Sequence, residues 1–176
     1  MWLSKFKELK LCLKAGRVTL PYPLAPGETM KGFRGRPVLN GDLCLGCGAC
    51  AAVCPPRTIF VIDEQDTRTI QVDYSRCTYC ARCEEVCPVG SITLNNEFEL
   101  ATTNKNDMKL SATLSMAKCK NCGTPFTTQR MLAKLTDDYY PEWMQVKVDP
   151  PEWFSICPDC RKKLEASRLK GGSKIV

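Results

Sequence analysis

Histidine is entirely absent from the 176-residue chain. That removes Ser-His-Asp and Cys-His catalytic arrangements, histidine-ligated haem and Cys₂His₂ zinc sites together. Any metal the chain holds sits on sulfur. Long apolar runs are missing too: no stretch approaches the ~20 apolar residues of a membrane span. After Met1, Trp2 and Leu3 the chain is broken by Lys5, Lys7, Glu8 and Lys10. Neither a signal-peptide core nor a twin-arginine start is read there. No G-x-G-x-x-G turn or phosphate-binding loop occurs, so no dinucleotide cradle is expected.

Cysteine, by contrast, is abundant, with 13 in the chain. A disulfide scaffold belongs to an oxidising compartment, and with no export signal the thiols are read as cytoplasmic metal ligands. The formal charge of +6 counts cysteines as neutral. A [4Fe-4S] centre on four thiolates, or a metal(II) on four, carries about −2. Two such clusters and one such metal bring the total to about zero, so the basic balance is no argument for nucleic acid.

The chain is divided into three parts: residues 1–39, 40–100 and 101–176. Residues 1–20 are expected to form a basic amphipathic helix, with Trp2, Phe6, Leu9 and Leu13 on one face and Leu3 beside them. Cys12, near its apolar edge, is expected to be a small buried hydrophobe rather than a ligand. Pro21 to Pro37 is Pro/Gly-rich and expected to be extended.

The middle part contains an internal repeat. Cys44, Cys47, Cys50 and Cys54 read C-x₂-C-x₂-C-x₃-C-P with Pro55; 33 residues on, Cys77, Cys80, Cys83 and Cys87 read the same with Pro88. Thr58-Ile59 aligns with Ser91-Ile92. Between the halves, Ile59–Ile62 and Ile70–Val72 flank Asp63-Glu64-Gln65-Asp66 and read as a hairpin. Three cysteines at x₂ spacing can wrap one cluster from a tight loop, while the fourth points away on the next helical turn. In two-cluster ferredoxins that fourth cysteine ligates the other cluster. The expected ligand sets are therefore Cys44, Cys47, Cys50 and Cys87 for one [4Fe-4S] cluster, and Cys77, Cys80, Cys83 and Cys54 for the other. Gly46 and Gly48 let the backbone approach the first, and the prolines stop the helix. With all eight ligands present and no general base nearby, no catalytic residue is expected; outer-sphere electron transfer remains.

In the last part, Cys119-x-x-Cys122-Gly123 and Cys157-Pro158-x-Cys160 form two knuckles separated by 34 residues. They are a tetrahedral S₄ signature for Zn²⁺ or a mononuclear iron, with a third cluster as the last alternative. The expected module is zinc-ribbon or rubredoxin-like and structural. Trp143, Trp153 and Phe154 lie between the knuckles and are expected to cap the metal loop or meet a partner rather than stack on bases. A zinc-ribbon regulatory or nucleic-acid-binding protein is the alternative of another class.

Tyr22-Pro23, Phe33-Arg34-Gly35-Arg36-Pro37 and the first cysteine motif resemble the two-cluster ferredoxin-like subunit of membrane redox complexes. That family includes NADH–quinone oxidoreductase subunit I and the matching subunit of group 4 membrane-bound [NiFe] hydrogenases. The run Arg82-Cys83-Glu84-Glu85-Val86-Cys87-Pro88 and the four-cysteine tail are most similar to the formate hydrogenlyase / hydrogenase-4 iron–sulfur subunit. The resemblance implies an α+β bacterial-type 2[4Fe-4S] core. It implies a relay from an iron–sulfur or formate dehydrogenase donor module to the hydrogenase small subunit, beside the large subunit and the membrane arm. It also implies a peripheral place on the cytoplasmic side of the membrane. A quinone-oxidoreductase-like subunit and a freestanding soluble diferredoxin are the alternatives.

Overall fold

The computed structural model describes residues 2–19, 21–25, 27–139 and 152–170, with side chains omitted at 2–4, 139 and 170. Trp143 lies outside the described residues, and so does the side chain of Trp2. The described chain falls into two compact units that divide after Phe33. No described helix is long and apolar enough to cross a membrane.

In the first unit, α1 spans Trp2–Ala15. It stops short of residue 20 because Gly16 enters the left-handed region at φ 62° and donates its N–H to the Cys12 carbonyl at 3.2 Å. That is a glycine C-terminal cap. Phe6, Leu9 and Leu13 are all exposed, and so is Leu11 on the opposite side. Cys12 is exposed as well, against the expectation of burial.

The second unit is built on the repeat. The single-turn helices α2 (Ala49–Ala52) and α3 (Arg82–Glu85) stand 33 residues apart. Strand β1 (Pro37–Leu39) pairs antiparallel with β4 (Ile92–Leu94), and β2 (Ile59–Asp63) pairs with β3 (Thr67–Asp73). Pair Leu39↔Ile92 therefore corresponds to pair Val72↔Ile59. The first strand of each half lies against the last strand of a half, in a pseudo-twofold arrangement. Backbone bonds follow it: Asn40 N–H donates to the Ser91 carbonyl at 2.7 Å and Asp73 N–H to that of Thr58 at 2.8 Å. Ahead of β1, Gly35 passes so close to the chain's other side that a Cβ there would stand 2.6 Å from the Asn95 carbonyl oxygen. Only glycine fits that approach.

Residues of the third part extend the sheet of the second. Strand β5 (Lys109–Lys118) pairs along the whole of β3, from Thr67↔Ser115 to Asp73↔Lys109, which joins residues on either side of residue 100 in one sheet. It alternates inward Leu110, Ala112, Leu114 and Met116 with outward Ser111, Thr113 and Ser115, the period of a half-buried strand. Strand β6 (Pro125–Thr128) follows in a sheet ordered β2-β3-β5-β6. Helix α4 (Gln129–Tyr139) comes next, and α5 (Pro158–Lys170) opens with proline at its first position. The core joins Ile59, Ile70, Val72, Ile92, Ala112 and Leu114 to Cys44, so strands from every part shield the cysteines.

Leu114→Ala tests whether β5 is core. With Leu114 only 4% exposed, the truncation is expected to destabilise the loaded protein by about 2–5 kcal/mol, read as a lower urea midpoint for loss of visible absorbance. A midpoint equal to that of the parent protein would make β5 an ornament.

Candidate metal centres

Each cysteine loop depends on left-handed backbone at repeat-equivalent places: Gly46 with Tyr79, Gly48 with Ala81, and Arg57 with Gly90, at φ values between 51° and 76°. Gly48 and Ala81 begin the one-turn helices. Three of the six positions are glycine; at the other three an L side chain accepts a conformation that costs about 1–2 kcal/mol. The same backbone is built twice, with or without the residue that suits it.

The helical turn carries the fourth cysteine of each motif across the pseudo-twofold. Cys44, Cys47 and Cys50 line a cavity that is completed by Cys87. Cys77, Cys80 and Cys83 line a second, completed by Cys54. The two expected ligand sets are thus each gathered around one space. The walls are otherwise largely apolar, with Leu39, Ile70 and Ile92 at the first and Pro37, Ile59 and Val72 at the second.

Two residues unforeseen in the sequence complete the ligand sphere. Ser91 N–H donates to Cys87 Sγ at 3.1 Å and its hydroxyl lies 3.3 Å from the same sulfur. Thr58 does the same for Cys54 at 3.4 and 3.5 Å. Both side chains are buried, and both stand four residues after the fourth cysteine. The signal was the repeat itself, which put Thr and Ser in equivalent places. Donors on a ligating sulfur stabilise its negative charge and so the reduced state of a cluster.

Charge says what the cavities need. Burial pushes the Cys50 and Cys83 thiols up to about 11, with neighbouring sulfurs adding to the effect. Cys77 is raised by burial too, and next by the charge of Cys54. Burial alone would raise Cys87, but the Ser91 hydroxyl and backbone amides outweigh it and hold it low. Buried thiols in this proximity become thiolates together only around a cation. Four sulfurs, buried N–H and O–H donors and apolar walls fit a cysteine-ligated iron–sulfur cluster in each cavity. Helices α2 and α3, which carry Cys50 and Cys83, pack against each other, so the two spaces are neighbours.

The third cluster of thiols is in the tail. The Sγ atoms of Cys119, Cys122, Cys157 and Cys160 all lie within 4.8 Å of one another. Cys122 and Cys157 are 3.7 Å apart, too far for a disulfide and close to the ~3.8 Å edge of a tetrahedron with ~2.3 Å metal–sulfur bonds. Cys157 N–H donates to Cys119 Sγ at 3.2 Å and pulls that thiol down to about 6. Hydrogen bonds with Thr124 lower Cys122, while those with Cys157 and Cys122 push Cys160 up to about 12. Beside the site, Trp153 packs edge-on to Phe154 at 4.3 Å and carries the Arg161 guanidinium over its ring at 5.2 Å. Phe154 is buried and Trp153 is exposed.

Residues 43–91 match the 4Fe-4S dicluster domain family. Formate hydrogenlyase subunit 6 of Escherichia coli (strain K12) is 33% identical over 165 residues, covering 90% of this chain and 89% of that protein. The chain belongs to its family. NADH-quinone oxidoreductase subunit 9 of Thermus thermophilus is 39% identical over 108 residues, covering 52% of this chain and 59% of that subunit. A chain from the membrane-bound sulfane sulfur reductase, an archaeal respiratory membrane complex, is 30% identical, covers 58% of this chain and 56% of its own, and has a TM-score of 0.46. Membership makes this an iron–sulfur subunit with a dicluster core of mixed helix and sheet, bearing a further four-cysteine group.

Cys54→Ala is expected to damage the cluster that shares Cys77, Cys80 and Cys83, seen as selective loss of one electron paramagnetic resonance signal. Loss of the signal belonging to Cys44, Cys47 and Cys50 would overturn the pairing. At the tail, elemental analysis should find one zinc, or one iron beyond the cluster total, that disappears on replacing Cys119 and Cys157 with alanine. An unchanged metal count would withdraw that site.

Proposed function

We propose that this chain is the electron-relay subunit of a multisubunit, membrane-associated hydrogenase complex. The observation that carries the reading is the pair of adjoining four-thiol cavities, each completed by a cysteine from the other half. An iron–sulfur cluster supplies reversible one-electron chemistry when bound. The chain's own residues hold two such groups side by side, exclude water with Ile70, Ile92 and Val72, and direct Thr58 and Ser91 donors onto sulfur. Eight thiols saturate the two cavities, and the chain has no histidine to serve as a base. Substrate chemistry is therefore assigned to partner subunits.

In this reading electrons arrive from an iron–sulfur or formate dehydrogenase module and leave for the hydrogenase small subunit. The hydrogenase branch is preferred to the quinone-oxidoreductase branch because the formate hydrogenlyase relative aligns through the tail as well as the core. Residues 1–39 are the docking segment, with exposed Phe6, Leu9 and Leu13 facing a membrane-arm subunit or lipid headgroups on the cytoplasmic side. Residues 40–100 are the cluster domain, and the last part is a structural Cys₄ module of zinc-ribbon or rubredoxin type. Zinc is the first choice for its metal and mononuclear iron the second.

The purified chain should take up electrons from dithionite and give them to a dye, yet produce no hydrogen and oxidise neither formate nor NADH. Turnover of any of these by the chain alone would sink the relay reading.

A further inference from the structure

The two cluster cavities are related by the repeat, yet one feature breaks the symmetry. Tyr79, a residue with a large side chain, is among those lining the second cavity. Its mate in the first half is Gly46, which has none, and Thr128 of the tail packs against that glycine. A Cβ at Gly46 would stand 2.7 Å from Thr128 Cγ2. Thr128 is fully buried at 0% exposure. Its hydroxyl donates to the Leu45 carbonyl and accepts the Met131 N–H at 3.2 Å, so one oxygen both pins the loop and caps α4.

Two arginines extend the hold. Arg130, in the first turn of α4, directs one guanidinium nitrogen at the carbonyls of Gly41, Asp42 and Cys44, the last two at 2.9 and 3.3 Å. Arg68 on β3 donates to the Gly46 carbonyl at 3.2 Å while pairing with Asp63. Among the described residues no side chain donates to a carbonyl of the equivalent stretch, 74–79. In a planar trans peptide the C=O and N–H point opposite ways. Pinning the carbonyls of Cys44, Leu45 and Gly46 therefore also sets the amides of Leu45, Gly46 and Cys47, between two of the first cluster's sulfurs.

The clasp is tied to the tail cysteines. Cys119 and Cys122 form the turn of the β5–β6 hairpin: Cys119 N–H donates to Thr124, and Gly123 N–H donates back to Cys119, both at 2.9 Å. Strand β6 is a short edge strand whose pairing ends at Met116↔Thr128. Strands so short hold their own position weakly. Closing the turn on Cys157 and Cys160 orders the strand that ends in Thr128.

We propose that the four-cysteine tail site anchors a clasp, made by Thr128 and Arg130, on the loop carrying Cys44 and Cys47, and so governs the first cluster while leaving the second alone. This rests on the ligand sets given above. Thr128 and Arg130 act as positioning residues, touching the loop and not the cluster.

The test uses the full chain with both clusters loaded, each followed by its own electron paramagnetic resonance signal. Thr128→Val, Arg130→Met and Cys122→Ala are each expected to make the first cluster bleach several-fold faster under an iron chelator and to shift its midpoint potential. The second cluster keeps its rate and potential. Thr128→Ser, which keeps the hydroxyl, behaves like the parent. The proposal is overturned if both clusters respond alike, or if the first cluster is unaltered after Cys122→Ala has removed the tail metal. Should Thr128→Val prevent folding, Arg130→Met carries the test with the same two outcomes, because its side chain is exposed and the core is left intact. A wrong ligand pairing shows separately, in Cys54→Ala, which touches no clasp residue.

Discussion

Each metal cavity is completed by a sulfur from the opposite half of the repeat, and the rest of the architecture follows from that exchange. Cys54 leaves its own loop on a one-turn helix and ends among Cys77, Cys80 and Cys83; Cys87 returns the exchange. Neither half can close its cavity alone, so strands must bring the two together. They do so by swapping partners, β1 with β4 and β2 with β3. The core is small, and four of the cluster cysteines, Cys50, Cys54, Cys83 and Cys87, pack against it. Thiols held at raised pKa by burial, as at Cys50 and Cys83, make the domain's cohesion depend on the cation they surround.

The last part of the chain does more than carry another metal site. By adding β5 beside β3 it covers the outer edge of a sheet that would otherwise present unpaired backbone. Its next strand and helix reach back to the first cysteine loop. A module with the look of an appendage thereby becomes part of the shell around one of two otherwise equivalent centres. Two clusters in a relay need not be equal, and asymmetric support is one way for a duplicated domain to make them differ.

Much of this was legible in the residues. The 33-residue period exposed the duplication, and the Asp63–Asp66 turn between β-prone runs is the observed β2–β3 hairpin. The spacing of the tail knuckles likewise anticipated the four converging sulfurs. Other features were present but overlooked. The Leu110, Ala112, Leu114, Met116 alternation marks a strand among Ser, Thr and Lys. Gly16 announced where α1 would stop. Still others have no local signal. The clasp joins Arg130 to Asp42, 88 residues apart, and the β3–β5 and β5–β6 pairings bring them together. Cys12 lies near the apolar edge of α1 and is nonetheless exposed, because helical periodicity reports a face and not its burial.

The central claim is that one domain holds two four-iron centres as neighbours, and magnetic coupling tests it most directly. The account predicts that the fully reduced chain contains two paramagnetic clusters whose resonance spectrum is broadened and split by their interaction, while a half-reduced sample shows a simple spectrum. A fully reduced chain with one cluster's worth of spins, or with two signals that merely add, would contradict it.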